Sequence, residues 1–415
     1  MYFVFIGVYL LLGAVLPSLF LLYLEESPSM WDQMVDPASL PEGLRYIFAA
    51  SAIFIVIALA RRPPKPAQPV RSPMLSGRLI WICWGLGAFG HCITILLNLR
   101  YGMSPSNLTA QRPFFAILLG YMAMIGGTAG AGFFFHELRF GGFSRRLLIY
   151  LMLQCAALAT SWSRSAVVLL ACAALLAMAY SPKARAIRLP KTKPLLIVGL
   201  LLVTAMVSVV CGQRLRGGET AWRPLLFEGL QRLFANNTAL FLAVDRFDEV
   251  NRILLEDQPE VMFDQMLSFV RTRTRYPSSF RFLELGGGTV EPDERGHIAG
   301  YAYGWLGVTY GVGRFWAGLA LLAVVLWLHF HLLLVLHRRS RSLLAVLFFA
   351  VLAGSLFEFL FNLGIDSFVE KLFKNSLYAV LAYFLIESIA YVTRKPRVPG
   401  LAELVEPKPP SATGA

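Results

Sequence analysis

Seven residues of this 415-residue chain combine type and spacing in a way that suits chemistry on an anion. Arg271, Arg273 and Arg275 alternate in VRTRTRYP. In an extended segment side chains repeat every second residue, so the three guanidiniums face one way and repel unless an anion lies among them. Pro277 and the run Gly286, Gly287, Gly288 follow. They make a turn-rich stretch whose exposed backbone amides suit a phosphorylated ligand. Arg164, in TSWSRSA, stands between two apolar segments, and Ser161, Ser163 and Ser165 around it could form an oxyanion-binding turn. If those segments span a membrane, a charge there is costly and marks function by default. The competing reading is a snorkelling arginine that only punctuates topology. Asp293, Glu294 and His297 in EPDERGH precede the next apolar stretch. An imidazole titrates near neutrality, so His297 suits general-base removal of a hydroxyl proton, and Glu294 or Asp293 could do the same. A helix cap or plain surface role is the alternative for His297.

Composition says what must position these groups. Apolar residues make up 57% of the chain and charged residues 15%, with a mean hydropathy of +0.60. No one or two soluble cores could hide that much apolar surface, whereas a bilayer accepts about 20 apolar residues per helical crossing. The expectation is an all-α polytopic membrane protein, which excludes a secreted enzyme, a cytosolic enzyme and a disordered chain. Apolar windows fall near 1–24, 46–60, 79–98, 113–135, 147–163, 165–180, 195–212, 301–336, 343–362 and 376–393, about ten transmembrane helices. Arg314 interrupts the eighth, and an interfacial helix over 301–313 would leave a span of about 315–336. The glycines Gly304, Gly307, Gly311 and Gly318 recur there at spacings that let helices approach closely. The five cysteines lie within or at the edge of apolar segments, with no CxxC, so neither a disulfide nor a metal site is expected.

The net charge of +13 is spread in short runs between spans rather than over one face, which speaks against nucleic acid. Residues 61–78 and 181–194 are basic without an acid, and basic residues crowd 136–146, 337–342 and the tail, whereas 25–42 is acidic without a base. The positive-inside rule puts both termini in the cytoplasm. The chain then divides into spans 1–7 (1–212), a large non-cytoplasmic loop (213–300), spans 8–10 (301–393) and a disordered cytoplasmic tail (394–415). The loop has 11 arginines and no lysine, beside 13 acids that offset them. Arginine without lysine favours planar, bidentate recognition of phosphate or carboxylate; ion pairs within the loop are the alternative. From Pro224 to Leu255 the apolar residues recur with helical period, predicting one or two amphipathic helices that lie on the membrane or cap the bundle.

This layout resembles the O-antigen and exopolysaccharide repeat-unit polymerases (Wzy type) and the related O-antigen ligases. Three local motifs carry the resemblance. Ser161-Trp162-Ser163-Arg164 is similar to an SxSR turn, and Gly296-His297 through Val308 to a glycine- and aromatic-rich entry into a span. Arg275 followed by Gly286 resembles an RX10G pattern. At the family's glutamate this chain has Tyr301 or Ala302. The resemblance implies a bacterial inner-membrane glycosyltransferase acting at the periplasmic face without metal or other cofactor. Donor and acceptor would be undecaprenyl-pyrophosphate-linked glycans, with membrane lipid around them and a chain-length regulator as a partner. Arg164, Arg271, Arg273 and Arg275 would hold the pyrophosphate, and His297, Glu294 or Asp293 would take the proton. A ligase acting on lipid A core and a polysaccharide flippase or transporter are the alternatives. Ionisable residues lining several spans and internal symmetry, which a transporter would carry, are not evident in the sequence.

Overall fold

A computed structural model describes residues 37–61, 76–101, 114–141, 144–161, 164–180, 239–255, 258–267, 304–361 and 365–393, together with Ile6, Gly7, Leu10, Val15 and Leu285. Among the described residues every regular element is helical. In chain order the helices are α1 (Leu40–Ala60), α2 (Gly77–Tyr101), α3 (Phe114–His136, running into a π-helical turn Glu137–Gly141), α4 (Arg145–Ser161) and α5 (Arg164–Ala179). Then come α6 (Phe247–Leu255), α7 (Gln258–Leu267), α8 (Gly304–Arg338), α9 (Leu343–Phe361) and α10 (Ile365–Val392). Five of them, α1, α2, α3, α8 and α10, are long and apolar enough to cross a membrane, and α9 carries a shorter apolar stretch. Between 28% and 39% of each spanning window is buried within the protein. Phe114, Phe115, Trp316 and Phe384 are among the large side chains left outside. Lipid is the solvent that accepts such a surface, and the chain reads as a multi-pass membrane protein.

Two boundaries differ from the hydropathy windows for local reasons. Helix α1 begins at Leu40 rather than near 46, because Pro41 is well suited to a first helical turn and Glu42 complements the helix's positive end. Helix α10 begins at Ile365 rather than 376, since its early charges neutralise each other: Lys374 Nζ donates to Glu370 Oε1 at 2.6 Å, one turn apart. The expected span 195–212, the tail 394–415, and all of 1–24 but four residues lie outside the described residues.

Side-chain contacts fix the directions. Tyr46 meets Thr309 near the starts of α1 and α8, and Arg61 lies over Trp327 further on, so these two helices run parallel. Helices α2 and α4 are parallel too: Trp84 bonds the Arg146 carbonyl at one end and Asn98 bonds Thr160 at the other. Helix α9 runs against α8, with His329 Nε2 2.9 Å from the Leu352 carbonyl, and it packs on α3, α5 and α10 as the central helix. The ends of α1, α3, α8 and α10 and the starts of α2, α4 and α9 thus lie at one end of the bundle, where the basic stretches 61–78, 136–146 and 337–342 begin or end. The closest approach is between α2 and α3. A β-carbon added to Gly130 would lie 2.7 Å from the Gly87 Cα and 2.4 Å from the Tyr150 hydroxyl. Backbones this near require glycine on both sides.

Helix α8 is two helices. Arg314 has φ 52° and ψ −153°, a left-handed position inside an otherwise helical run. The break falls where the sequence marks it, dividing 304–313 from the spanning part.

Candidate functional site

The break in α8 leaves carbonyls without helical partners, and α6 supplies one. Helix α6 is strongly amphipathic, with Val250, Ile253 and Leu254 buried. It lies across 304–313, where Gly311 leaves room for Val250 and Leu254: a β-carbon there would come within 2.6 Å of Val250 Cγ1. From this seat Asn251 Nδ2 donates to the Gly311 carbonyl at 2.8 Å and the Val312 carbonyl at 3.2 Å. A side-chain amide thereby does what the next helical turn would have done. Residues 239–245, the preceding helical turn pair, bury Ala239, Leu240 and Phe241 completely. Of the amphipathic helices expected between Pro224 and Leu255, α6 is one and packs on α8; 239–243 form a helical turn buried on every side, and 224–238 lies outside the described residues.

Polar groups collect beside the break. Thr309 Oγ1 gives its proton to the Trp305 carbonyl at 2.8 Å, so Tyr46 is the donor in the 2.8 Å bond between the two hydroxyls. The Tyr310 hydroxyl donates to the Glu42 carboxylate. The Arg314 guanidinium lies 4.4 Å above the Phe247 ring and 3.6 Å from the Asp248 carboxylate. That ion pair is largely open to solvent, so it contributes little to stability and leaves the cation available. The arrangement is a cation with two carboxylates and two phenols, at the junction of α1, α6 and α8.

A second contact joins α7 to α10. Helix α7 packs on α10, with Asp264 almost fully buried on the first and Glu370 and Lys374 paired on the second. The described helices between 239 and 267 therefore rest on α8 and α10, with α6 at the end of α8 opposite the basic helix termini. The sequence pattern did not single out Glu370, Asp264, Asn251 or Tyr46. The Glu370–Lys374 spacing was a usable signal; Asn251 had none, because its role exists only once α8 breaks beneath it.

Arg164 is the first residue of α5, three positions after Ser161, the last residue of α4. Its side chain lies outside the described part, as do Arg271, Arg273, Arg275, Asp293, Glu294 and His297. The structure thus neither brings these residues together nor separates them. Cys83, Cys92 and Cys155 are free thiols. Among the described residues no group of three or more His, Cys, Asp or Glu could hold a metal ion. No family model, no curated protein and no solved structure matches the chain.

Proposed function

We propose that this protein is a membrane glycosyltransferase that polymerises oligosaccharide repeat units carried on undecaprenyl pyrophosphate. In this reading it has ten spans, resides in a bacterial inner membrane with both termini cytoplasmic, and works at the periplasmic face. What supports the proposal is the packing of α6 and α7, from the lysine-free stretch 213–300, on α8 and α10, with α6 at the end of α8 opposite the basic termini. Helix α7 ends four residues before Arg271, and Gly304 opens α8 seven residues after His297. Both reactive stretches are therefore tethered to helices held at that surface, where a lipid carrier would present its headgroup.

The acceptor sugar hydroxyl attacks the anomeric carbon of the donor. Its proton passes to His297, Glu294 or Asp293 as the new C–O bond forms. The bond from the anomeric carbon to the pyrophosphate oxygen breaks, and the electron pair leaves with undecaprenyl pyrophosphate. Arg164, Arg271, Arg273 and Arg275 bind the diphosphate and stabilise the charge that develops on it, so that guanidiniums perform the neutralisation a divalent ion could otherwise supply. Anchoring both substrates in the same leaflet beside one loop supplies proximity.

Replacing Arg164 or Arg275 by Lys keeps the charge but loses the bidentate geometry, and each change should abolish polymer while leaving expression intact. Normal chain lengths in both variants would end the proposal. The product separates polymerase from ligase: loss of a polymerase leaves a single repeat on lipid A core, and loss of a ligase leaves polymer on the carrier.

A further inference from the structure

At the basic end of the bundle, one lipid-facing strip of α2 has a composition that helix packing does not require. Arg78, Trp81, Gly85 and Phe89 follow at spacings of three, four and four, which places them on one helix face. Trp81 and Phe89 are each 50% exposed. Between them Gly85 presents open space, since a β-carbon built there would meet nothing within 4 Å. The strip is thus an open notch between two aromatic side chains, with Arg78 one turn before it.

The basic side of this notch is assembled from two helices. The Arg146 guanidinium of α4 lies 4.1 Å above the Trp81 ring. Its backbone carbonyl accepts from Trp84 Nε1 at 3.3 Å, and Trp84 in turn stands edge-on to Trp81 at 5.6 Å. Arg146 is therefore held in place by its backbone and by its stacking partner. Arg145 beside it is exposed, and Arg78 reaches Thr393 at the end of α10. Glu137, the acid of the neighbouring turn, is buried and accepts from Ser144 Oγ at 3.1 Å. Three guanidiniums so arranged at a membrane surface, above an apolar notch, complement a phosphate ester with an acyl chain beneath it.

We infer that the Arg78–Trp81–Gly85–Phe89 face of α2, with Arg145 and Arg146 of α4, is a binding site for an anionic phospholipid. The headgroup phosphate takes the arginines, Trp81 stands at the level of the ester region as membrane-interface tryptophans do, and an acyl chain crosses Gly85 towards Phe89. This site lies at the opposite end of the bundle from the proposed reaction and does not depend on it.

The test uses the full-length protein purified in detergent and titrated with phosphatidylglycerol or phosphatidylcholine, with bound lipid counted by native mass spectrometry. Wild type should retain phosphatidylglycerol in preference to phosphatidylcholine. The R78Q/R146Q variant should bind phosphatidylglycerol roughly thirtyfold more weakly, from two surface arginines lost. R341Q, which removes an exposed arginine elsewhere at the same end, should bind as wild type does. Equal retention of the two lipids by wild type, or unchanged phosphatidylglycerol binding in R78Q/R146Q, would overturn the inference. Should the double variant not purify folded, Gly85→Leu fills the notch while keeping every arginine: weakened binding supports the site, and unchanged binding removes it.

Discussion

Arg314 holds a backbone conformation that residues with a β-carbon avoid, at a cost of order 1–3 kcal/mol. What holds it there is visible around it: Asn251 on the freed carbonyls, Phe247 under the guanidinium and Asp248 beside it. The two substitutions that remove the side chain should therefore part company. Arg314→Ala loses the ring and carboxylate contacts and keeps the strain, whereas Arg314→Gly loses the same contacts and releases it. The glycine variant should be the more stable of the two by about 1 kcal/mol, read as the higher melting temperature in detergent. Equal melting, or alanine above glycine, would mean that the break is not strained. The break itself was legible, because an arginine inside an apolar run has few other uses. The residues that stabilise it were not. Asn251 and Tyr46 are separated from their partners by 60 and 263 positions, and no periodicity reports such a meeting.

At the scale of elements, hydropathy located the described helices and most of their ends, and failed at two beginnings. It missed the first turns of α1 and α10 because each begins with charges that a window average counts as polar. Glu42 bonds Tyr310 and Glu370 bonds Lys374, so both charges are satisfied locally. Nor could hydropathy report which helices touch. The α2–α3 contact depends on glycines whose neighbours are other glycines, and it offers a paired test within one helix. A β-carbon on Gly130 would strike the Gly87 backbone and the Tyr150 ring, while one on Gly127 would meet nothing within 4 Å. Gly130→Ala should destabilise by about 1–3 kcal/mol through overpacking. Gly127→Ala should be neutral or stabilising, by up to about 1 kcal/mol of helix propensity. Thermal unfolding of the two variants side by side decides it, and matching shifts would show that the helices are not in contact at Gly130. The candidate chemistry was legible only as sequence, since six of its seven residues lie outside the described part and the seventh contributes its backbone alone.

For the whole molecule, the alternation of loop charge and the helix directions agree, and this yields a labelling experiment. In a background with the five native cysteines replaced, cysteines at the exposed positions Ser76, Ser342 and Thr393 should react with an impermeant thiol reagent from one side of the membrane only. Cysteines at Glu42 and Asp248 should react from the other side. Labelling of any of the first three together with either of the last two would refute the up-and-down path of the chain. The same path has a consequence in time. Tyr46 finds Thr309 263 positions further along the chain. At ribosomal rates of roughly 5–20 residues per second, α1 waits about 13–50 seconds in the bilayer before its partner has been made. During that interval it must be sheltered by the insertion machinery or by a provisional neighbour, and assembly finishes only when the last third of the polypeptide arrives to relieve it.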